Sequence, residues 1–307
     1  MYDTDMKELK EYTYLFSRNN KAIARAKQGE AVIFHTLDCF GGQIRSEDDK
    51  VENLDFSKAN PATGPLYIEG AMPGDVLAVD ILDVKVADQG IMATVNGLGA
   101  LSRNCEARTK ILKVEDGWIS FNDIRFPAKP MIGVIGVAPA GGDVRTSDSS
   151  SCGGNMDSRI ITKGVTVYLP VAVEGALLAM GDVHAAMGDG EVCETGVEIG
   201  ASITVKARVI PQFDLRWPIT ETEEFWFVNT TGKDCDTAIR YGYEEMQRLV
   251  MNAYGWDGTD ACFYLSAQAR VESNQACLNQ HEKDEEGDTF RVGVPKLGNK
   301  PPLIPQK

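Results

Sequence analysis

The chain has 307 residues, of which 43% are hydrophobic and 25% are charged, a composition typical of globular proteins. Its formal net charge of -14 at pH 7 excludes nucleic acids and anionic membranes as partners, because both repel an acidic surface. A metal ion or a small neutral or cationic molecule fits this charge better.

Targeting features and cysteines bear on the compartment of the protein. The N-terminus has neither the basic start nor the apolar stretch of a secretion signal, and no apolar run approaches the roughly 20 residues that span a bilayer. The seven cysteines are scattered without a CxxC pair, which is typical of free thiols in a reducing environment. We therefore expect a cytoplasmic protein that does not bind a membrane.

Hydrophobic residues alternate with polar ones over much of the chain from residue 31 onward. The alternation is clearest over residues 77–86 and 199–209, and a period of two predicts strands with one buried face. Turn signals rich in Gly, Pro and Asp separate such segments at 72–75, 115–117 and 140–143. We predict a mainly β fold, with a jelly-roll-like β-sandwich body over residues 1–210.

The pattern changes after this body, where helical spacing of apolar residues appears. The predicted elements are a helix over 234–253 with an aspartate cap and Gly255 at its end, a shorter helix over 259–268, a strand over 291–295 and a weakly ordered tail at 300–303. We therefore predict a smaller α+β portion over residues 211–307, packed on the body. The boundary is approximate, and a single intertwined domain is the alternative.

The most informative segment is residues 181–198, which holds five carboxylates and one of the three histidines of the chain. On a strand, Asp182 and His184 point the same way because side chains alternate. The Gly-Asp-Gly turn that follows reverses the chain, so Glu191 and Glu194 return towards that pair. An imidazole among carboxylates is a ligand set for zinc or another divalent ion. A solvated acidic hairpin with a stray histidine is the alternative.

Several motifs, in the order in which they occur, resemble one known family. They are 38–43 (DCFGGQ), 64–71 (GPLYIEGA), 73–77 (PGDVL), 153–157 (GGNMD), 169–177 (LPVAVEGAL) and 181–193 (GDVHAAMGDGEVC). Together they resemble the acetamidase/formamidase family, strongly over residues 31–205 and more loosely elsewhere. Several matches in the right order are more specific than one short motif.

The resemblance implies hydrolysis of short aliphatic amides, such as formamide and acetamide, to a carboxylate and ammonia. The reaction needs an activated water and a proton for the leaving amine, and a divalent metal activates water. We predict Asp182 and His184 as ligands, with zinc favoured and calcium or another ion as alternatives. The resemblance adds Asp38 as the third ligand. Glu191 is the predicted general base, and Glu198 is the second candidate.

A polar loop over residues 145–155 precedes the apolar run, and the resemblance indicates that it belongs to the site. We predict that Gly153, Gly154 and Asn155 bind the substrate. Backbone N–H groups of this loop are suited to an oxyanion, and the Asn155 amide to the NH₂ group of the substrate. Because the residues of the signature are small, we expect a compact amide to be preferred over a long one.

Other nucleophiles and ligands have weaker support. Cys39 and Cys193 have acidic neighbours, which oppose thiolate formation, and the serines at 149–151 lack a G-x-S-x-G context. His35 is expected to be an ordinary core or surface histidine. His281 lies in a charge run that is typical of a solvated loop.

Two alternatives to an amidase remain open at this point. One is a metal- or ligand-binding β protein without amidase activity. The other is a hydrolase of a different small C–N substrate, such as a urea-like, carbamoyl or guanidino compound. We also expect a homodimer, because of the family resemblance and because sheet edges need to be covered or paired.

Overall fold

A computed structural model of the chain describes residues 6–275 and 287–306. The strands within these residues are β1 (Lys7–Leu9), β2 (Tyr12–Thr13), β3 (Leu15–Phe16), β4 (Ala24–Ala26), β5 (Ala31–Thr36), β6 (Ala62–Ile68), β7 (Val76–Val86), β8 (Gln89–Thr94), β9 (Arg108–Glu115), β10 (Trp118–Phe121), β11 (Ile124–Pro127), β12 (Met131–Gly136), β13 (Val144–Arg145), β14 (Ser149–Ser150), β15 (Gly153–Asn155), β16 (Thr166–Pro170), β17 (Leu178–His184), β18 (Glu198–Ile199), β19 (Ala201–Ile210), β20 (Ile219–Glu221), β21 (Phe225–Gly232), β22 (Arg270–Ser273) and β23 (Asp288–Pro295). The α-helices are α1 (Cys235–Tyr254) and α2 (Gly258–Gln268), and short 3₁₀ helices lie at Val51–Asn53, Phe56–Lys58 and Ser102–Asn104.

Two large sheets form the body. The first has nine strands in the order β1-β5-β19-β7-β16-β20-β21-β23-β22. In β5 half-buried and buried residues alternate along the whole strand, as expected for a strand with one face on the core. The predicted strands at 77–86 and 199–209 are present as β7 and β19, so the prediction of a mainly β fold is confirmed.

The second sheet has twelve strands, and its centre carries the functional segment. Its main path is β11-β10-β9-β8-β18-β17-β12-β15-β14, and β6 pairs with β17, β2 and β4. All seven residues of β17 are buried, because β12, β6 and β18 flank it and the first sheet covers it. A strand that is buried on both faces usually has a continuous apolar sequence rather than an alternating one. The two ionisable residues at the end of β17 depart from this pattern.

Two hydrophobic cores hold these layers together. The larger core lies between the sheets and joins side chains such as Phe34 and Val205 of the first sheet to Ile132 and Met180 of the second. The smaller core lies on the first sheet beneath the two helices and includes Leu249 of α1 and Val292 of β23. The larger core holds β17 in position, and with it the end of β17 that carries the polar residues.

The C-terminal part agrees with most of its predicted elements. Helix α1 begins after Asp234, whose side chain accepts a hydrogen bond from the backbone N–H of Thr237, and it ends at Gly255. Helix α2 begins at Gly258, one residue before the predicted start, and is capped by the side chain of Asp257. The predicted α+β character of this half is confirmed. None of the described helices is long and apolar enough to cross a membrane.

Two details of the C-terminal part differ from the sequence-based description. β16 pairs with β20, so the first sheet continues across the predicted boundary at residue 210. The tail is not weakly ordered, because Leu303 and Ile304 are buried in the smaller core. Two prolines directly precede these apolar residues. The polar, proline-rich sequence led to the prediction of a weakly ordered tail, but the apolar residues that follow it are packed.

Candidate active site

A buried cluster of ionisable side chains lies at the end of β17. Asp182 Oδ1 lies 3.4 Å from His184 Nε2, and both side chains are buried. The backbone of Asp182 is left-handed, with φ of 52°, a conformation that costs on the order of 1–3 kcal/mol in a non-glycine residue and concentrates at functional sites. The two side chains therefore lie close together, as predicted, and the strand that carries them is irregular at this end.

Glu198 reaches the same point from the neighbouring strand. In the β17–β18 pairing His184 lies directly opposite Glu198, and Glu198 Oε2 is 3.1 Å from His184 Nε2. The other carboxylate oxygen accepts a hydrogen bond from the backbone N–H of Gly196. A Cβ atom at Gly196 would lie 2.7 Å from the imidazole ring, so this position needs glycine for the ring to pack. Glu198 is therefore buried against the imidazole of His184.

Glu191 returns to the cluster after the Gly-Asp-Gly turn, as predicted. Its Oε1 is 3.9 Å from His184 Nε2, and its Oε2 accepts a hydrogen bond of 3.0 Å from the Gln275 side chain. Glu194, which follows it, is half-buried, and its carboxylate accepts a hydrogen bond from the backbone N–H of Gly99. The turn thus carries one carboxylate into the cluster and a second to the cavity wall.

A buried arginine braces this turn from behind. The guanidinium of Arg291 lies 2.7 Å from Asp189 Oδ1, in the middle of the turn. It also pairs with Glu272 and donates to the backbone oxygen of Ser273 and the side-chain oxygen of Asn274. Since a guanidinium offers a rigid set of donors, Arg291 fixes the turn that presents the next glutamate.

Asp157 is a member of the cluster that the sequence analysis did not assign to the site. Its Oδ1 is 3.9 Å from His184 Nε2, and its side chain is buried. It follows β15, which pairs with β12 next to β17. A Cβ atom at Gly133 of β12 would lie 2.9 Å from Asp182 Oδ2 and overlap the Asp157 carboxylate. The sequence did contain a signal for Asp157, since it lies in the same motif as Asn155.

Several buried polar atoms of the cluster lack hydrogen-bond partners among the described residues. They are Asn155 Oδ1, Asp157 Oδ1, Asp182 Oδ1, His184 Nδ1 and Glu198 Oε2. Native proteins leave few buried polar atoms unpaired, and a group of them in one place points to a missing ion or water. Two sets of potential ligand atoms, each set within 4.8 Å, are Cys39–Asp182–Glu198 and Asp157–His184–Glu191. These residues fit a bound metal ion.

Burial and mutual repulsion shift the pKa values of the cluster. Burial raises the pKa of Glu191 to about 7 and that of Glu198 to about 8, against the opposing effect of His184. Burial, Glu191 and Asp182 raise the pKa of Asp157 well above its usual range. Burial lowers the pKa of His184, but Glu198 and Asp182 outweigh it and raise that pKa. Carboxylates crowded this closely cannot all be charged without a compensating cation.

The predicted ligand Asp38 lies beside the cluster in a turn. Its Oδ1 accepts hydrogen bonds from the backbone N–H groups of Phe40 and Gly42. The neighbouring Cys39 has its sulfur next to Asp182 and Glu198. Burial, followed by the charges of Glu198 and Asp182, raises the pKa of the Cys39 thiol well above its usual range, which agrees with the argument against a thiolate nucleophile. A role for Asp38 as a ligand stays a prediction.

Part of the predicted substrate-binding loop belongs to a strand, and part of it lines the cavity. Gly153 and Gly154 lie within β15, paired with β12 on one side and β14 on the other. Asn155 is buried and lines the cavity above the cluster, but its backbone N–H donates to the oxygen of Asp148. Of the three residues predicted to bind the substrate, Asn155 is thus the one that lines the cavity, together with Arg145 and Ser147 of the same loop.

The other candidates lie apart from the cluster or play supporting roles. His35 is in β5, where it contacts Glu8 and Ser202. Cys193 lines the cavity, and its sulfur lies near the backbone oxygen of Thr195. His281 lies outside the described residues.

The cluster forms one end of a cavity with a volume of about 310 Å³. The polar side chains that line this end are Asn60, Asn155, Asp157, Asp182, His184, Glu191, Glu198 and Gln275. Asn60 donates a hydrogen bond of 3.2 Å to Asp182. Neither Asn60 nor Gln275 carried a sequence signal, since both come from segments distant from the motifs.

The fold and the site together define a family of hydrolases with a two-sheet body and an acidic, histidine-containing cluster. A family model described as the acetamidase/formamidase family matches residues 6–142 and 140–276. The chain belongs to this family, and the resemblance stated from its motifs is confirmed.

Individual relatives resemble the chain closely. An acetamidase from Bacillus halodurans is 36% identical with a TM-score of 0.90, over 95% of this chain and 97% of that one. A predicted acetamidase/formamidase from Thermoanaerobacter tengcongensis is 37% identical with a TM-score of 0.89, over 94% and 96%. A putative formamidase of Schizosaccharomyces pombe is 29% identical, over 60% of each chain. The chain thus spans about 60% of the length of that curated relative.

Proposed function

We propose that the protein hydrolyses short aliphatic amides, including formamide and acetamide, to the carboxylate and ammonia. The observation that carries the proposal is the buried cluster of four carboxylates and one imidazole that lines a cavity, in a chain of this family. A cavity with convergent polar groups and shifted pKa values is the usual form of an active site. The charge of the cavity also suits a neutral substrate such as a primary amide.

We propose that the cluster holds a divalent metal ion, with zinc favoured. Asp182 and His184 each belong to a set of closely spaced potential ligands, and the set around Asp182 includes the Cys39 sulfur. Each set thus has one donor other than oxygen, a cysteine sulfur or an imidazole, and such donors favour zinc over calcium, which prefers oxygen alone. A bound ion of this kind supplies an activated water and polarises the amide carbonyl.

The side chains around this point have distinct tasks in the proposed reaction. Glu191 takes the proton of the attacking water and passes it to the departing nitrogen, since it is a buried carboxylate beside the proposed metal site. Gln275 orients Glu191 through its hydrogen bond. Asn155 has an unpaired side-chain oxygen that can accept a hydrogen bond from the NH₂ group of the amide. Glu198 holds His184 in place and is the second candidate for the base.

Ammonia release from formamide and acetamide tests the proposal directly. The purified protein is assayed as isolated, after treatment with a chelator and after addition of zinc, and its metal content is measured in parallel. We expect activity in the first sample, loss in the second and recovery in the third. His184→Ala should remove both metal and activity. A protein that releases no ammonia but binds zinc would instead be a metal-binding relative without this activity.

We also propose a cytoplasmic homodimer. The six cysteines within residues 6–275 are all free thiols, which suits a reducing compartment. β11 is an edge strand with exposed Ile124, and its partner β10 exposes Trp118. Apolar side chains on a sheet edge favour pairing or coverage. Light scattering should report twice the mass of one chain, and a stable monomer at micromolar concentration would contradict this part of the proposal.

A further inference from the structure

The cavity that contains the ionisable cluster has a second, apolar end. This end is built by the turn after Asp38, the two 3₁₀ helices that follow it, and the turn after β8. The apolar side chains that line it are Phe40, Val51, Leu54, Phe56, Val95 and Leu98. Phe40 and Val51 also belong to a small hydrophobic core of their own, so this wall is packed from behind.

The apolar wall is tied to the catalytic end by specific hydrogen bonds. Gln43 donates from its side chain to the backbone oxygen of Phe40 and accepts from the backbone N–H of Asp55. Asn60 lies at the end of the same segment and donates a hydrogen bond to Asp182. Because one end of this segment contacts the cluster, the apolar wall lies at a set position relative to any amide bound there.

The size of the cavity exceeds that of the smallest amides. The cavity has a volume of about 310 Å³. It lies at the lower end of pockets that enclose organic ligands. Acetamide at the cluster fills only a small part of this space and leaves the apolar wall in contact with water.

The charges around the cavity restrict what else can fill it. Six carboxylates line it: Asp55, Asp157, Asp182, Glu191, Glu194 and Glu198. Among the described lining residues the only lysine or arginine is Arg145, which lies 3.1 Å from Asp148. An anionic chain is therefore repelled, whereas a neutral apolar chain gains contact with the wall.

We infer that the preferred substrates are primary amides with a neutral, apolar acyl chain of about four to six carbons, which departs from the preference for compact amides expected from the small residues of the motif. This inference rests on the amidase activity proposed above and names the part of its substrate class that the cavity fits best. The amide group lies at the ionisable cluster, and the acyl chain lies along Phe40, Leu54 and Leu98.

A series of amides of increasing chain length tests the inference. Each buried methylene contributes about 0.8 kcal/mol, which is about fourfold in kcat/KM. We expect kcat/KM to rise by about that factor per methylene from acetamide to pentanamide and to level off when the wall is covered. Glutaramate, with a terminal carboxylate, should be a poor substrate despite its similar length.

Two matched variants assign the effect to the wall. Leu98 is half-buried and lines the cavity, whereas Leu101 is 49% exposed three residues later and does not line it. Leu98→Ala should lower the ratio of kcat/KM for pentanamide over acetamide about tenfold, as expected for several lost methyl contacts. Leu101→Ala should keep the ratio of the unmodified protein. Thermal unfolding of both variants shows whether they are folded.

The outcomes separate this inference from the activity on which it rests. A ratio that rises with chain length and drops in Leu98→Ala supports it. Hydrolysis that is fastest with formamide or acetamide and declines with each methylene overturns it and leaves the proposed function intact. A preference for glutaramate overturns the inference that the acyl chain is neutral. If no amide releases ammonia, the proposed function fails and the inference fails with it.

Discussion

Replacement of Arg291 by methionine tests how the turn before Glu191 is held. The side chain of Arg291 has no exposed surface, and its guanidinium pairs with Asp189 and Glu272, each about a third exposed. Loss of one partner of a fully buried pair costs about 3–5 kcal/mol. Because solvent screens the two carboxylates in part, we expect about 2–3 kcal/mol for Arg291→Met.

The control is Arg159, which lies 2.9 Å from the other oxygen of Asp189 but is 48% exposed. An exposed pair of this kind contributes about 0–1 kcal/mol. The midpoint of thermal unfolding falls by about 2–4 °C per kcal/mol in chains of about this size. We therefore expect a decrease of about 4–12 °C for Arg291→Met and at most about 4 °C for Arg159→Met.

Thermal and urea unfolding, followed by circular dichroism, measure these differences, and an amidase assay on the same samples measures the effect on the turn. We expect kcat to fall at least about tenfold in Arg291→Met, because the glutamate that follows the turn loses its fixed position. Arg291→Lys should recover part of the stability, since it keeps the charge but not the planar set of donors. Equal losses in the Arg291 and Arg159 variants would refute the role assigned to the buried guanidinium.

Three further changes have expected outcomes. Glu191→Gln should lower kcat at least about a hundredfold with metal content unchanged, whereas Glu194→Gln should have a much smaller effect; equal effects would contradict the choice of base. Gly133→Ala places a methyl group against the carboxylates of the cluster, so metal content measured by elemental analysis should fall, and an unchanged content would show that the cluster has room to move. Leu303→Ala should destabilise the protein by about 2–5 kcal/mol in urea unfolding, and a change below about 0.5 kcal/mol would mean that the tail packs loosely.

Local patterns in the sequence were sufficient for part of the fold and part of the site. The 3.6-residue spacing and the aspartate and glycine at its ends located α1 to within a residue. In the site, Asp182, His184 and Glu191 are joined by one strand end and one turn, so their approach follows from local geometry. Strand period and turn residues encode such short-range relations directly.

The remaining members of the cluster depend on pairings between distant segments. Glu198 is buried because the β17–β18 register sets it opposite His184, and no local pattern encodes that register. Asp157 arrives through the pairing of β15 with β12. Cys39, the neighbour of the predicted ligand Asp38, approaches Asp182 and Glu198 from a turn far away in the chain. The apolar wall of the cavity likewise comes from segments outside the motif around His184.

The order of strands in the first sheet has a consequence for synthesis of the chain. β5 has β1 on one side, but on the other it pairs with β19, and His35 and Ser202 in that pairing are separated by 167 positions. While the ribosome makes the intervening segment, β5 is an open edge with apolar side chains. Long-range pairing of this kind slows folding, and open edges promote aggregation. Slow translation at low temperature, or co-expression of a chaperone, should therefore raise the yield of soluble protein more than any change in the purification buffer.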